Sequence, residues 1–254
     1  MPNILDFILV GLAAVTAGVI NALAGGGTLL TFPTLLAIGI PAVAANVTNT
    51  IALCPGYVGG ILAQSKDLQD QKQRLWIFIP AGLVGGFIGG FLLLISGEKL
   101  FQSLVPVLIL LASGLLAVQD LLKAWLLRRS KKDGSAGLPV KLAALPVSLA
   151  AIYGGYFGAG LSVIVLAVIG LVLDDSLTRL NALKQAIAFS ANVAAAVLFL
   201  FSGKVVWPVA VVMAVGALIG GNLGGRLAGR VKPAVLRAIV VVIGFSVGII
   251  YLFK

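Results

Sequence analysis

Lys184 is the side chain whose setting most demands a chemical explanation. It stands at the head of an apolar stretch, residues 185–203, that holds no other Asp, Glu, Lys or Arg. On a helix Asn181 and Gln185 fall one turn to either side of it or beside it, on the same face. A charge carried deep into a membrane helix costs about 2.5–3.5 kcal/mol on insertion scales, so it needs a partner or a cavity. An anionic substrate would be such a partner; the alternative is a Lys whose long stem snorkels to the headgroups. Ser190 and Asn192 continue the polar positions of the same helix, and Tyr153, Tyr156 and Ser162 precede it as candidates to line a site.

A second polar group, Asn46, Thr48, Asn49 and Thr50, opens another apolar helix. Asn46, Asn49 and Thr50 are three and four residues apart and share one face, which should turn to the bundle interior and away from lipid. Amides and hydroxyls there can ligand an oxyanion, hold Na⁺ through their oxygens, or bond neighbouring helices.

Two glycine clusters could shape the space between these helices. Gly25-Gly26-Gly27-Thr28 and Gly158-Ala-Gly160 interrupt apolar runs. Unpaired backbone groups in hydrocarbon cost several kcal/mol each unless protein or water receives them. A short helix starting at Thr28, and another starting after Gly160, would each aim a positive N-terminal end at the bilayer interior, which favours an anion. The competing reading is a tight turn with close helix packing.

The elements that must position these residues are membrane segments. The chain of 254 residues is 60% apolar and 10% charged, with mean hydropathy +1.15; soluble domains carry about 25% charged residues. A span needs roughly 20 apolar residues. Segments are expected at 4–24, 28–40, 42–63, 75–96, 100–127, 140–157, 160–173, 177–202, 206–228 and 233–253, with 28–40 and 160–173 short enough either to re-enter or to cross. No cationic leader or cleavage site precedes the first segment, so no removable signal peptide is expected. The chain lacks His and has the single Cys54, which removes His-based triads, His-ligated metals and disulfides. No Walker motif is present. An enzyme, a metal site and a cofactor are therefore not expected, and no carboxylate is placed at mid-membrane; coupling to Na⁺ or H⁺ stays open.

The chain repeats itself. A shift of 135 residues carries Asn46 onto Asn181 and Gly85-Gly86-Phe-Ile-Gly89-Gly90 onto Gly220-Gly221-Asn-Leu-Gly224-Gly225. The expected fold is an all-α polytopic membrane protein of two five-segment inverted repeats with Gly-broken short or re-entrant helices. The repeats would occupy 1–127 and 142–254, joined by a cytoplasmic linker at 128–141. Gly82, Gly86 and Gly90, and Gly216, Gly220 and Gly224, form ridges suited to helix packing. Asp120 and Lys123 are spaced for a local ion pair, and Ser176 is placed to cap the helix that follows Asp174 and Asp175. Net charge is +10. If the segments around Gly25 enter and return to one side, all basic residues except Lys99, Lys204 and Lys254 share one face. The positive-inside rule makes that face cytoplasmic and both termini external. Trp76, Trp125 and Trp207 fall at segment ends, as an aromatic belt requires. This distribution points to lipid and not to nucleic acid as the charged partner.

The stretch Gly18-Val-Ile-Asn-Ala-Leu-Ala-Gly-Gly-Gly-Thr-Leu-Leu-Thr-Phe-Pro33, followed by Leu35-Leu-Ala-Ile-Gly39 and Ala45-Asn-Val-Thr-Asn-Thr50, resembles the first-half motif of the TauE/SafE sulfite exporter family, also called the toluene sulfonate uptake permeases. Gly154-Gly-Tyr-Phe-Gly158, Asn181-Ala-Leu-Lys184 and Gly220-Gly-Asn-Leu-Gly-Gly225 resemble its second half more loosely. The resemblance implies a plasma-membrane transporter of small sulfur-containing anions, such as sulfite or organosulfonates. It implies that the glycine break, the Asn-Thr stretch and the Asn-to-Lys stretch line the pathway. The expected substrate-binding set is Asn21, Gly25, Gly26, Gly27, Thr28, Asn46, Thr48, Asn49, Thr50, Tyr156, Gly158, Gly160, Ser162, Asn181, Lys184 and Gln185. Alternating access is the expected mechanism, with a passive small-anion channel or a carrier of non-sulfur organic anions as alternatives. Expected partners are a small anion and the bilayer, with a homodimer as the one assembly considered.

Overall fold

The computed structural model describes residues 3–23, 25–130, 140–173, 175–227 and 233–253, and every regular element among them is helical. The order is α1 (Ile4–Leu23), α2 (Thr28–Ala37), α3 (Ala42–Ala63), α4 (Lys72–Ser130), α5 (Ala144–Tyr156), α6 (Leu161–Val172), α7 (Leu177–Leu200), α8 (Trp207–Leu227) and α9 (Pro233–Leu252). Most of the expected linker, 131–139, lies outside the described residues, as does Asp174.

Local chemistry sets the ends. Asp6 N–H donates to Asn3 Oδ1 at 2.9 Å and Asn3 N–H to Asp6 Oδ2 at 2.7 Å, a reciprocal cap that starts α1. Ser176 Oγ accepts from Arg179 N–H at 3.4 Å and starts α7, as its position foretold. α4 has 59 residues, which at the helical rise would reach about 88 Å, far beyond a hydrocarbon core of about 30 Å. It is two segments, 72–96 and 98–130, divided at Gly97, whose φ of 72° and ψ of 168° no helix contains. The boundary between the fourth and fifth expected segments is therefore a single glycine and not a loop. α2 and α6, of 10 and 12 residues, reach about 15 and 18 Å, short of a bilayer.

Burial sorts the helices. In α7, 67% of the most apolar window is buried, against 28% in α1 and 22% in α9. α7 is the central post, while α1, α4, α8 and α9 turn large apolar side chains outward, among them Leu12, Phe87, Val211 and Val242. Trp76, Trp125 and Trp207 are all exposed at helix ends.

Glycine faces on two of the long helices pack closely on neighbouring helices. Gly220 and Gly224 of α8 lie so close to α1 that a Cβ on Gly220 would run into the Val15 carbonyl. Their counterparts in the 135-residue shift, Gly85 and Gly89, lie equally close to α5, against the Ser148 and Ile152 carbonyls. The ridge of Gly82, Gly86 and Gly90 instead packs on α7, against Ser190, Ala191 and Ala195. The mate of Gly86, Gly221, has no atom within 4 Å of where a Cβ would stand. The ridge of Gly82, Gly86 and Gly90 thus meets α7 and that of Gly216, Gly220 and Gly224 meets α1, while the close contact on α5 is made by Gly85 and Gly89.

Candidate functional site

Each break is a pair of left-handed residues with a side chain pinning it. Gly25 and Gly26 have φ of 82° and 95°, a region open to glycine at little cost. Gly25 N–H donates to the Ile20 carbonyl at 2.9 Å, and Gly27 N–H donates to Asn21 Oδ1 at 2.7 Å. Asn21 therefore satisfies from the end of α1 a donor that helix geometry would leave orphaned at the start of α2. In the second break Gly158 and Gly160 have φ of 82° and 78°. There Tyr153 Oη donates to the Ala159 carbonyl at 2.7 Å, so an acceptor is satisfied where the first break satisfies a donor.

The breaks meet. A Cβ on Gly25 would stand 3.9 Å from Ser162 Oγ, which brings the first turns of α2 and α6 together. Between them opens a cavity of about 370 Å³. Asn21, Gly25, Gly26, Thr28, Gly158, Gly160 and Ser162 line it, joined by Asn181, Lys184 and Gln185 of α7. Lys184 is buried and donates from Nζ to Asn181 Oδ1 at 3.0 Å. Below, the cavity reaches Gln64 at the end of α3 and Leu177 and Thr178 at the start of α7, the helix ends that adjoin the basic segments.

The other expected residues stand elsewhere in this conformation. Gly27 backs onto α1, where a Cβ would come within 2.6 Å of the Ala17 carbonyl. Asn46 Nδ2 donates to the Tyr156 carbonyl at 2.9 Å, tying α3 to the end of α5 just before the second break. Thr48 Oγ1 accepts from Val206 N–H at 3.0 Å and holds the start of α8. Thr50 Oγ1 donates to the Asn46 carbonyl at 2.9 Å. Asn49 is buried, and its Oδ1, like that of Asn46, is unpaired among the described residues. Tyr156 packs its ring on Phe101 at 5.6 Å and donates to Ser96 Oγ at 3.3 Å.

The cavity also contains Tyr57, Gln119 and Thr178, which sequence reasoning passed over, and Lys123, which it placed elsewhere. Lys123 was assigned to a local ion pair with Asp120; the structure corrects this. Asp120 forms its ion pair with Arg237 of α9, and Lys123 turns to the cavity. The spacing of Gln119 and Lys123, one helical turn apart, was the available signal.

On the opposite side of the breaks the chain is closed by aromatic rings. Phe32, one turn into α2, meets Phe157, the residue before Gly158, edge-on at 5.3 Å, and meets Phe101 at 6.2 Å. All three are fully buried. Beyond Phe101, Glu98 accepts from Ala42 N–H and, at 3.0 Å, from Val43 N–H, and so caps α3. At the other helix ends Asp175 pairs with Arg74 and, at 3.1 Å, with Arg179. Burial alone would raise the Asp175 carboxyl, but hydrogen bonds from Arg74, Ser176 N–H and Arg179 and the Arg74 charge outweigh it and hold it below the usual carboxylate range.

Several helices long and apolar enough to cross a membrane, with short apolar helices meeting at a polar-lined cavity, are the build of a multi-pass membrane protein. The family model described as Sulfite exporter TauE/SafE matches residues 10–251, and the chain belongs to that family. It is 29% identical over 230 residues to the "Probable membrane transporter protein" of Haemophilus influenzae, covering 90% of this chain and 88% of that one. It is 30% identical over 208 residues to "Probable membrane transporter protein YfcA" of Escherichia coli K12, covering 80% and 73%. "Probable membrane transporter protein ORF9" of a Sinorhizobium species is 26% identical over 227 residues, covering 84% and 79%. No solved structure matches the chain. The chain is a membrane transporter.

Proposed function

We propose that the chain exports small sulfur-containing anions, such as sulfite or organosulfonates, across the plasma membrane by alternating access. The observation that carries this reading is the meeting of Gly25 and Ser162 at a cavity that also holds buried Lys184. Two half-helix N-termini and an ammonium offer a desolvated anion replacements for its hydration shell. Sulfur enters through the name of the family to which the chain belongs.

In this reading the face carrying Gln64, Lys66, Arg74 and Arg179 is cytoplasmic, and the conformation is open to it. The cavity runs to that face, while Phe32, Phe101 and Phe157 seal the far side of the breaks. Export then requires those rings to part and the Lys184 side to close. The two halves act as inverted repeats around a fixed site, which is how repeat-built carriers alternate. The packed rings favour a carrier over an open pore.

The test is flux. Purified protein in liposomes, given labelled sulfite, sulfonates, sulfate or carboxylates with and without Na⁺ and pH gradients, should move sulfur oxyanions, with trans-side substrate accelerating uptake. Movement of carboxylates alone would assign the cavity to non-sulfur anions, and flux without trans-acceleration would assign it to a channel.

A further inference from the structure

We infer that Lys123 is a second cargo-contacting cation, and that with Lys184 it makes the cavity selective for anions bearing two negative charges. This rests on the anion-carrier reading above and adds a residue and a charge class to it.

Asp120 decides how Lys123 is used. It is three residues from Lys123 on the same helix and is the carboxylate best placed to neutralise it. Its ion pair is with Arg237, which reaches across from α9 and is itself buried. The contact is a charge pair, without the aligned hydrogen bond that would also occupy the guanidinium nitrogens. Asp120 gives its ion pair to Arg237, and of the charged groups acting around Lys123 only Asp120 attracts it, from outside that pair, while Arg237 and Lys184 of α7 repel it. Lys123 and Lys184 both line the cavity, and among the described residues no carboxylate does. Lys184 has its hydrogen bond with a neutral acceptor, Asn181 Oδ1.

Two ammoniums in one partly desolvated space repel each other, and among the described residues neither forms an ion pair with a carboxylate, a situation that favours occupancy by an anion. The first turns of α2 and α6 add positive partial charge from the other wall. A monoanion leaves one of the two cations uncompensated. A dianion compensates both, and its several equivalent oxygens let both lysines donate at once. Arg237 is then a positioning residue: it touches no cargo, and it holds the Asp120 carboxylate in an ion pair of its own.

The experiment is competition against labelled sulfite flux in liposomes, with sulfate and thiosulfate as dianions and methanesulfonate as a monoanion of similar shape. In wild type the dianions should inhibit at concentrations about tenfold lower or more, the scale of one charge-assisted contact. Lys123→Gln should collapse that preference to within about threefold, and Lys123→Arg should keep it. Arg237→Gln should also weaken it, because Asp120 is released to pair with Lys123. Adding Asp120→Asn to Arg237→Gln should restore it, a rescue that loss of packing around Arg237 would not produce. Equal inhibition by mono- and dianions in wild type, or a preference unchanged in Lys123→Gln, overturns the inference while leaving the carrier reading intact. Absence of flux for every sulfur anion in wild type overturns the carrier reading and this inference with it.

Discussion

Whether a peptide can turn inside hydrocarbon is decided here by single glycines. Gly26 has φ of 95°, and a Cβ there would come 2.5 Å from Leu116 Cδ1. Gly26→Val meets both obstacles, with backbone strain of order 1–3 kcal/mol before the clash is counted. It should reduce flux at least tenfold per folded molecule. Gly203→Ala has similar strain, with φ of 67°, but open space around it, and should leave flux per folded molecule unchanged. Lys184→Met keeps the stem's packing and removes the charge; it should preserve the monodisperse fold and abolish most anion flux. Near wild-type flux in that variant would reduce Lys184 to a headgroup contact. Much of this scale was legible in the sequence: the glycine breaks, Asn181, Lys184 and Gln185 all stand in one cavity. For Lys123 the spacing from Gln119 was a signal, but it was outweighed by the nearby Asp120, and nothing local showed that Asp120 is claimed by Arg237, a residue more than a hundred positions away. The Asn46 stripe shows the converse: its polarity was visible, but nothing local could distinguish a cargo contact from the bond that Asn46 makes to the Tyr156 carbonyl.

At the scale of helices, the glycine ridges were visible in the sequence but the neighbours they meet were not. Gly-rich ridges mark close packing without saying which neighbour they meet, and α8 carries glycines on adjacent faces. The structure separates them. Gly220→Ala drives a methyl into the Val15 carbonyl and should destabilise by about 1–3 kcal/mol. Gly221→Ala meets nothing within 4 Å and should be neutral or stabilising, since Ala is the better helix former. Thermal unfolding in detergent distinguishes the two. A further element-level device is the clamp of Arg74 and Arg179 on Asp175, which ties the start of α4 to the start of α7. Because the native carboxyl is held below the ordinary value of 3.8, the clamp's contribution is complete above that pH and fades as pH falls below it through the depressed native value. Asp175→Asn should therefore lower the unfolding temperature at neutral pH, and the difference from wild type should vanish in strong acid. Helix ends and the single-residue break at Gly97 were legible only in part: a glycine among apolar residues marks a change of direction, but many such glycines continue a helix, and only the structure shows that this one has φ of 72°.

At the scale of the molecule the account makes one face cytoplasmic and open, and the other sealed by Phe32, Phe101 and Phe157. Orientation is tested by single cysteines in a Cys54→Ser background. Lys66→Cys, in the short helix Ser65–Leu68, should be labelled by an impermeant maleimide only once the inner face is opened. Gly203→Cys, at the opposite end of α7, should be labelled from outside in intact cells. The reverse pattern would invert the proposed direction of access. The central claim, that two chain interruptions meet around a transported anion, is tested most directly at Ser162, which stands on one break and faces Gly25 on the other. The measurement is the rate of maleimide reaction with Ser162→Cys in inside-out vesicles, with and without the anion that the liposome assay shows to be transported, using the exposed Ser65→Cys as control. The anion should slow labelling of Ser162→Cys several-fold and leave Ser65→Cys unchanged. Equal labelling of Ser162→Cys with and without the anion, or access to it only from the external face, would contradict the account.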